Sequence, residues 1–351
     1  MKVIAWDDIP QCKDEPNFGN LLTVFQRQVP NRSTLFEFFL NDRLYRRLVP
    51  GPEPADETAR MRRVITAFYR LGYDYATILI PGFSFKEQVV RRVAKSISTN
   101  EGAVIHNRQE FNKFAWPDAD IADYDILDRL AQDLPKGMKL ILFSPDGVLE
   151  NVINLLGYEA LCYMLVDDLQ LVEDVVAQVG TRLVRYYEKA MSYECVGACI
   201  SNDDWGFKTG TLLSPPVLRR LIFPWHKRIV EVVHAAGKPI ILHSCGYFEQ
   251  TIEDIIENMK FEGRHSYEDT IMTVEMAYEK YHDRIAIIGG IDVDFICRSN
   301  PEDVYHRSKA MMERVSMRGG YALGSGNSIP EYVPDANYFA MVRAALDLRE
   351  R

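Results

Sequence analysis

Residues 196–246 decide the fold class, and they read VGACISNDDWGFKTGTLLSPPVLRRLIFPWHKRIVEVVHAAGKPIILHSCG. The stretch begins with the apolar run VGACIS (196–201) and ends with a second one, PIILHS (239–244). Near-continuous apolar runs are typical of strands that are buried on both faces of a parallel sheet. The long segment between them predicts a helix, which Pro224 should kink or divide and Gly237 should end. The stretch therefore predicts a strand–helix–strand unit.

The same alternation extends over most of the chain. Further predicted strands are YATILI (75–80), KLILFS (139–144), KFEGRHS (260–266), RIAIIGG (284–290) and YALGSG (321–326), with GAVIHN (102–107) as a candidate for an eighth. Predicted helices separate these strands. One of the helices begins with Asn300 as N-cap and Pro301 at the first helical position. Alternating strands and helices indicate a doubly wound sheet or a (β/α)8 barrel. No Gly-rich phosphate fingerprint follows the first strand, which favours the (β/α)8 TIM barrel.

Composition and charge narrow the class of protein. The 351 residues are 47% hydrophobic, enough for a large core, and their net charge of −9 argues against a nucleic-acid partner. We find no run of about 18 apolar residues and no signal peptide, and the six scattered cysteines suit reduced thiols, so we expect a cytoplasmic protein without a membrane span. Residues 66–351 are predicted to form the catalytic barrel, and residues 1–65 an N-terminal extension packed on it.

Polar side chains follow five consecutive predicted strands. The carboxyl ends of parallel barrel strands open onto one face, where catalytic groups collect. We therefore take as candidate catalytic residues Asp203, Asp204, His265, Asp292 and Asn327. Candidate substrate-binding residues at the same strand ends are Asn202, Trp205, Phe207 and Tyr267.

His243 and Cys245 are the candidate metal ligands. Residues i and i+2 of an extended chain point to the same side, and an imidazole with a thiolate suits zinc. Glu268, after the next strand, is the expected third ligand, with His265 as its competitor. The alternative is that both residues only pack in the core. His226, on a helical face, is predicted to be solvated.

Other candidates have a structural alternative that the sequence leaves open. Asp203 and Asp204 can orient a substrate, act as acid or base, or cap the following turn. Asp292 is either catalytic or a cap. Trp205 and Phe207 can stack on a ring-shaped substrate or belong to the core, and we favour stacking.

Three segments together carry a family resemblance. They are residues 203–246, RIAIIGGIDVDFI (284–296) and GGYALGSGNSIPEYVP (319–334). The sequence resembles the uroporphyrinogen decarboxylase superfamily over roughly residues 66–351. The resemblance implies a (β/α)8 barrel with its active site at the carboxyl ends of the strands.

One branch of that superfamily decarboxylates uroporphyrinogen without a cofactor. It carries an Arg-rich motif of the form RQAGR, where this chain has FQRQVPNR (25–32), and an Asp after its first strand, where this chain has TILIPGFSF (77–85). A substrate with eight carboxylates needs a dense Arg cluster. The departures argue against uroporphyrinogen itself.

The other branch resembles this chain more closely and comprises zinc-dependent methyltransferases that use a corrinoid protein or coenzyme M. Its His-x-Cys pair matches His243 and Cys245, whereas Asn327 replaces its later Cys. A related barrel, cobalamin-independent methionine synthase, adds a Glu ligand near the position of Glu268. The resemblance implies zinc, a corrinoid carried by a partner protein and a small methyl donor. The GSGNSI variety resembles O-demethylase components that act on methoxylated aromatics, which Tyr267, Trp205 and Phe207 would suit.

The sequence thus favours a corrinoid-dependent methyltransferase. A metal-free decarboxylase of a porphyrinogen or a smaller acid is the alternative, and Asn327 keeps open a third, a non-catalytic carrier that binds a ligand. A homodimer also stays open.

Overall fold

A parallel sheet forms the centre of the molecule in the computed structural model, which describes residues 5–85 and 102–349. Within these residues seven strands pair in the order of the chain, each one parallel to the next. The strands are β1 (Tyr75–Leu79), β2 (Lys139–Phe143), β3 (Val196–Asn202), β4 (Ile240–His243), β5 (Gly263–His265), β6 (Ala286–Ile288) and β7 (Tyr321–Ala322). The sheet curls into the (β/α)8 barrel that the sequence predicts.

Helices connect the strands and cover the outside of the barrel, as right-handed parallel connections require. They are α1 (Gly19–Phe25), α2 (Asp42–Leu48), α3 (Glu57–Arg70), α4 (Arg108–Lys113), α5 (Asp125–Ala131), α6 (Val148–Leu156), α7 (Tyr158–Asp167), α8 (Leu169–Ala190), α9 (Pro215–Val217), α10 (Phe223–Ala235), α11 (Val274–Tyr281), α12 (Val293–Arg298), α13 (Pro301–Val315) and α14 (Asp335–Arg349). No helix of the described residues is both long and apolar enough to cross a membrane.

The barrel closes through a segment of the predicted N-terminal extension, residues 34–40. Its backbone pairs in parallel with the chain at and after β7, where the Phe36 amide donates to the Leu323 carbonyl at 2.7 Å. On its other side the Thr77 hydroxyl of β1 donates to the Phe38 carbonyl at 2.7 Å. The segment therefore fills the gap between the last strand and the first.

Predicted and observed elements agree where the apolar runs are long. The seven runs each contain a strand, and Asn300 caps α13 by accepting from the Asp303 amide. The candidate eighth strand at 102–107 is wrong: the amides of Val104 and Ile105 both donate to the Leu155 carbonyl at the end of α6, not to a sheet. A short apolar run forms a strand only where a neighbouring strand offers free backbone groups for hydrogen bonding.

Within residues 196–246 the long helix is divided, as the position of Pro224 predicts. A π-helical turn, Leu218–Ile222, separates α9 from α10, and Pro224 lies in the first turn of α10, where no backbone donor is needed. Gly237 follows α10 with φ +70°, a conformation that favours glycine. The His226 side chain of α10 is buried.

Candidate metal and active site

The loops that follow β3 and β4 lie against each other at the carboxyl face of the barrel. Asn202 of β3 lies opposite His243 of β4 in the sheet. The Asp203 amide then donates a hydrogen bond to the His243 carbonyl at 2.9 Å. A Cβ atom on Gly246 would lie 2.0 Å from the Gly206 carbonyl oxygen, so only glycine allows this approach. The contact brings the two loops' polar residues together.

Three of these residues form what we call the Asp204 cluster: Asp204, His243 and Cys245. Their ligand atoms, one oxygen, one nitrogen and one sulfur, all lie within 4.8 Å of one another. The Cys245 amide also donates to Asp204 Oδ1 at 2.8 Å, and the Cys245 sulfur is 3.8 Å from His243 Nε2. Oxygen, nitrogen and sulfur atoms of these side chains are the donor types that zinc binds, at about 2.0–2.3 Å. The donor set therefore suits a zinc ion with a fourth position open.

The expected third ligand, Glu268, lies outside this cluster. It lines a separate small cavity with Ser266 and Tyr267 on the other side of the loop after β5. Asp204 lies beside His243 and Cys245, where sequence reasoning expected Glu268. The approach of the β3 and β4 loops that brings it there is a tertiary contact that strand order alone does not reveal.

Burial dominates the electrostatics of the Asp204 cluster. It lowers the pKa of His243 to about 4, although the negative charge of Asp204 acts in the opposite direction. Burial, and then the Asp204 charge, raises the pKa of the Cys245 thiol, while a hydrogen bond from Ser266 opposes the shift. A neutral imidazole is ready to bind a metal, whereas the thiol must lose its proton on binding.

The Cys245 sulfur has two further polar contacts. Asn327 Nδ2 donates to it at 3.2 Å and Ser266 Oγ at 3.4 Å. Asn327, which stands where the family resemblance implies a cysteine, thus touches the cluster. An amide donor stabilises negative charge on sulfur, which favours a thiolate without adding a ligand.

His265 supports the cluster from inside the barrel. Its Nδ1 lies 2.7 Å from His243 Nδ1, and its Nε2 lies 3.3 Å from the Ser325 carbonyl oxygen. Burial, and then the neighbouring His243, lowers the pKa of His265 well below its usual range. His265 is fully buried and contacts a predicted ligand, not the space where a substrate would bind.

A second group of polar residues lies beside the Asp204 cluster and consists of Asp203, Trp205 and His226, which we call the Asp203 cluster. The Asp203 carboxylate accepts from the Leu149 and Glu150 amides, both at 2.9 Å, in the first turn of α6. Its Oδ2 also accepts from Trp205 Nε1 at 3.0 Å and lies 2.8 Å from His226 Nε2.

This saturation corrects three predictions. Asp203 caps α6 and is not placed for catalysis, since its oxygens are occupied and fully buried. His226 is not solvated: its Nδ1 lies 2.9 Å from the Ser201 hydroxyl, and it is wholly buried. Trp205 is a core residue, 0% exposed and packed against Phe223, so it cannot stack on a substrate.

Other candidates also have structural partners. Asp292 caps α12 by accepting from the Phe295 amide at 2.8 Å and holds the Asp269 amide at 2.8 Å, which favours the capping alternative over catalysis. Tyr267 is buried, and its ring packs against the Arg264 guanidinium.

Two candidates remain near the open face. Asn202 accepts from the Ser144 amide at 3.2 Å and so joins the ends of β2 and β3. Phe207 is 51% exposed, with its ring 5.9 Å from that of Tyr158, and is accessible to a bound molecule.

Sequence reasoning missed Glu37 and Phe38. Glu37 is fully buried below the site and accepts from the Ser325 hydroxyl at 2.7 Å, and burial raises its pKa to about 8 although Ser325 opposes the shift. The Phe38 ring lies 4.7 Å from that of His243. The available signal was the single acid within the apolar run LFEFF (35–39), which is unusual for a residue type that is rarely buried alone.

A cavity of about 460 Å³ opens beside Phe38 at the carboxyl ends of β1 and β2. Phe143 lines it and also contacts Phe38, with 5.0 Å between ring centroids. The other inner walls are mainly apolar: Phe39, Leu40, Leu79 and Ile329. At the rim, Arg60 is engaged by Glu57 through Nε at 2.8 Å. The volume is that of an ordinary small-molecule pocket.

Comparison with known proteins gives a family and a fold. A family model described as uroporphyrinogen decarboxylase (URO-D) matches residues 93–348. A methyltransferase from Methanosarcina mazei superposes with a TM-score of 0.69 at 14% identity, covering 95% of this chain and 99% of that one. A protein described as a vitamin-B12 independent methionine synthase from Listeria monocytogenes gives a TM-score of 0.48 at 12% identity, covering 91% and 98%. A search of curated proteins finds no match.

Proposed function

The chain belongs to the uroporphyrinogen decarboxylase family, and from this premise we propose that it is a zinc-assisted methyltransferase. The observation that carries the proposal is the convergence of Asp204, His243 and Cys245 within 4.8 Å at the carboxyl face of the barrel. A catalytic zinc site has three protein ligands and one open position, and these three atoms provide that set.

The residues of the site have separate roles in this proposal. Asp204, His243 and Cys245 hold the metal, which supplies Lewis acidity toward the heteroatom that carries the methyl group. Asn327 stabilises the Cys245 thiolate through its amide. The methyl–heteroatom bond breaks, the methyl group passes to a reduced corrinoid carried by a separate partner protein, and the donor leaves as an anion that takes up a proton.

None of the three proposed metal ligands lines the cavity beside Phe38, so we assign to it the part of the methyl donor that lies away from the metal. Its inner walls are mainly apolar, and the charges at its rim are the carboxylates of Asp42 and Glu331 and an Arg60 already engaged by Glu57. An uncharged, ring-shaped donor such as a methoxylated aromatic fits this lining, because a carboxylate would meet like charges without a free cation. The enzyme would work in the cytoplasm.

The decarboxylase alternative loses its main support at Asp203. That residue motivated an acid or base, but four donors of the chain surround its oxygens. Proton exchange with a substrate would therefore disrupt the hydrogen bonds that cap α6. The family model, described as uroporphyrinogen decarboxylase, and the carboxylates of Asp204 and Asp292 are the remaining support for this alternative.

A metal determination joined to a methyl-transfer assay tests the proposal. Wild-type protein is purified, its zinc content measured by mass spectrometry, and transfer from methoxybenzene to cob(I)alamin followed by the visible spectrum. We expect about one zinc per chain and measurable methylcobalamin formation. Cys245→Ser should lose both, while Cys162→Ser, which alters an exposed thiol, should keep both.

Two results would contradict the proposal. One is wild-type protein without bound metal whose activity added zinc does not restore. The other is full zinc content in Cys245→Ser. Methyl transfer by any donor would also remove the non-catalytic carrier from consideration, and release of carbon dioxide from porphyrinogens would revive the decarboxylase.

A further inference from the structure

We infer that His265, Ser325 and Glu37 act as positioning residues which fix His243 in the tautomer whose Nε2 is unprotonated and faces Cys245. The inference rests on the proposed metal site and goes beyond it, since it assigns the proton on each ring nitrogen. Metal-bound histidines commonly owe their tautomer to a partner on the other ring nitrogen.

The first step is the contact between the two imidazoles. Nδ1 of His243 and Nδ1 of His265 are 2.7 Å apart, a hydrogen-bond distance. One of the two nitrogens must therefore carry a proton and the other must accept it.

The second step decides which one donates. Nε2 of His265 lies 3.3 Å from the carbonyl oxygen of Ser325. A carbonyl oxygen can only accept, so Nε2 of His265 carries a proton. The imidazole is fully buried beside the ring of Phe36 at 5.0 Å, and its hydrogen-bond partners among the described residues include no carboxylate, which favours the neutral form.

The third step follows from the proton count. A neutral imidazole has one N–H, and in His265 it is on Nε2, so Nδ1 of His265 accepts from Nδ1–H of His243. Nε2 of His243 then keeps its lone pair. That atom is the one 3.8 Å from the Cys245 sulfur, within the Asp204 cluster.

Glu37 holds the far end of this chain. Its carboxyl group accepts from the Ser325 hydroxyl at 2.7 Å and from the Ser325 amide at 3.3 Å, which holds the residue whose carbonyl meets His265. The backbone of Glu37 is itself held by the Tyr75 hydroxyl, which accepts from its amide and donates to its carbonyl, both at 2.6 Å. These contacts give a reason for a fully buried carboxyl group below the site.

Gly289 gives an independent indication that the ring position matters. It has φ +67°, and a Cβ atom there would lie 3.0 Å from His265 Nε2 and 2.4 Å from the Ser325 carbonyl oxygen. Any side chain would separate the two atoms that hold the proton on Nε2. The backbone at the end of β6 thus accommodates the His265–Ser325 contact.

The experiment reads the tautomers directly in metal-free, full-length protein. Two-bond ¹H–¹⁵N correlation spectra of protein labelled at histidine distinguish protonated from unprotonated ring nitrogens, and His243→Gln and His265→Phe assign the two rings. We expect Nδ1–H with bare Nε2 for His243 and the reverse for His265. The opposite pattern, or a protonated Nε2 on His243, would overturn the inference.

Variants test whether the chain of contacts fixes this state. His265→Phe should leave His243 as a mixture of tautomers and lower zinc affinity about 10–100-fold, the usual effect of losing such a partner. Glu37→Leu should show a smaller shift in the same direction, and Ser325→Ala replaces it if that variant does not fold. His306→Phe, on the exposed face of α13, is the matched control and should change nothing.

An unchanged His243 spectrum in His265→Phe would reject the positioning role. Failure of the proposed function would look different. In that case wild-type protein would show the expected tautomers and yet bind no zinc, because the spectra are recorded without metal.

Discussion

The Asp203 cluster and the Asp204 cluster contain similar groups, differ by one position in the chain, and have opposite properties. Asp203 is surrounded by four donors of the protein and is 0% exposed. Asp204 accepts from the Cys245 amide, and its cluster is half-buried at the open face. Residue type alone therefore does not distinguish a structural carboxylate from a candidate functional one. The number of protein donors that already bind its oxygens does distinguish them.

Removing Asp203 should have the largest effect on stability. Asp203→Ala leaves two amides at the start of α6, an indole N–H and His226 without their buried acceptor. Loss of one partner from a buried polar pair costs about 3–5 kcal/mol, and we expect a decrease of that size in the free energy of unfolding. Urea denaturation measures it. Asp204→Ala is the control, with a change below about 1 kcal/mol, and equal midpoints for both variants would remove the distinction between the clusters.

Glu37 is a buried carboxyl group that should make the stability of the protein depend on pH. Because its pKa is raised to about 8, the folded protein keeps a proton that the unfolded chain releases near pH 4.5. The resulting contribution is complete below the unfolded pKa, decreases as pH rises, and levels off above about pH 8.

Glu37→Gln should abolish this decrease. Between pH 5 and pH 8 the wild-type protein should lose about 3 kcal/mol more stability than the variant, at about 1.4 kcal/mol for each unit of pKa difference. Thermal unfolding at several pH values measures the difference. The ionisable neighbours Tyr45, Tyr73 and Tyr75 titrate far higher and do not interfere. Parallel pH curves for the two proteins would show that Glu37 is ionised when folded.

Asp204 should affect metal binding more than stability. Asp204→Asn removes one charged oxygen ligand, and we expect the zinc dissociation constant to rise about 100-fold, or about 2.7 kcal/mol. Competition with a chromophoric chelator measures it. Glu268→Gln is the matched control and should bind as the wild type does. The reverse result would restore Glu268 as the third ligand and remove Asp204 from the site.

The smallest expected effect is at Trp205. Trp205→Phe removes one of four donors to Asp203 and keeps most of the ring, so it should cost about 1 kcal/mol of stability. Michaelis constants for the methyl donor should not change, because the indole is fully buried. A large increase in the Michaelis constant at unchanged stability would instead make Trp205 part of the substrate site.

The strand ends named from sequence are the ones that meet at the carboxyl face. Cys245 follows His243 by two residues, just beyond the end of β4, so their proximity is a purely local relation. Glu268 and Asp204 show the limit of this reasoning. Asp204 follows β3 and Glu268 follows β5, and each of these strands neighbours β4. Which of the two carboxylates lies near Cys245 depends on the close approach of Gly206 and Gly246, two residues 40 positions apart.

The roles of Trp205 and His226 were equally beyond local reasoning. Each has a structural partner distant in sequence: Phe223 beside Trp205, and Ser201 beside His226. A pattern of polar residues after strands marks the face of the barrel where a site lies. It does not show which oxygens are already occupied.

The sequence by itself determined the alternation of strands and helices, the (β/α)8 barrel and the His-x-Cys pair, because these follow from periods of two and 3.6 residues and from local spacing. Only the tertiary structure decided that residues 34–40 close the barrel, that Asp204 lies beside His243 and Cys245, and that Glu37 is buried. The physical reason is that hydrogen-bond saturation and burial depend on residues far apart in the chain, which no local pattern contains.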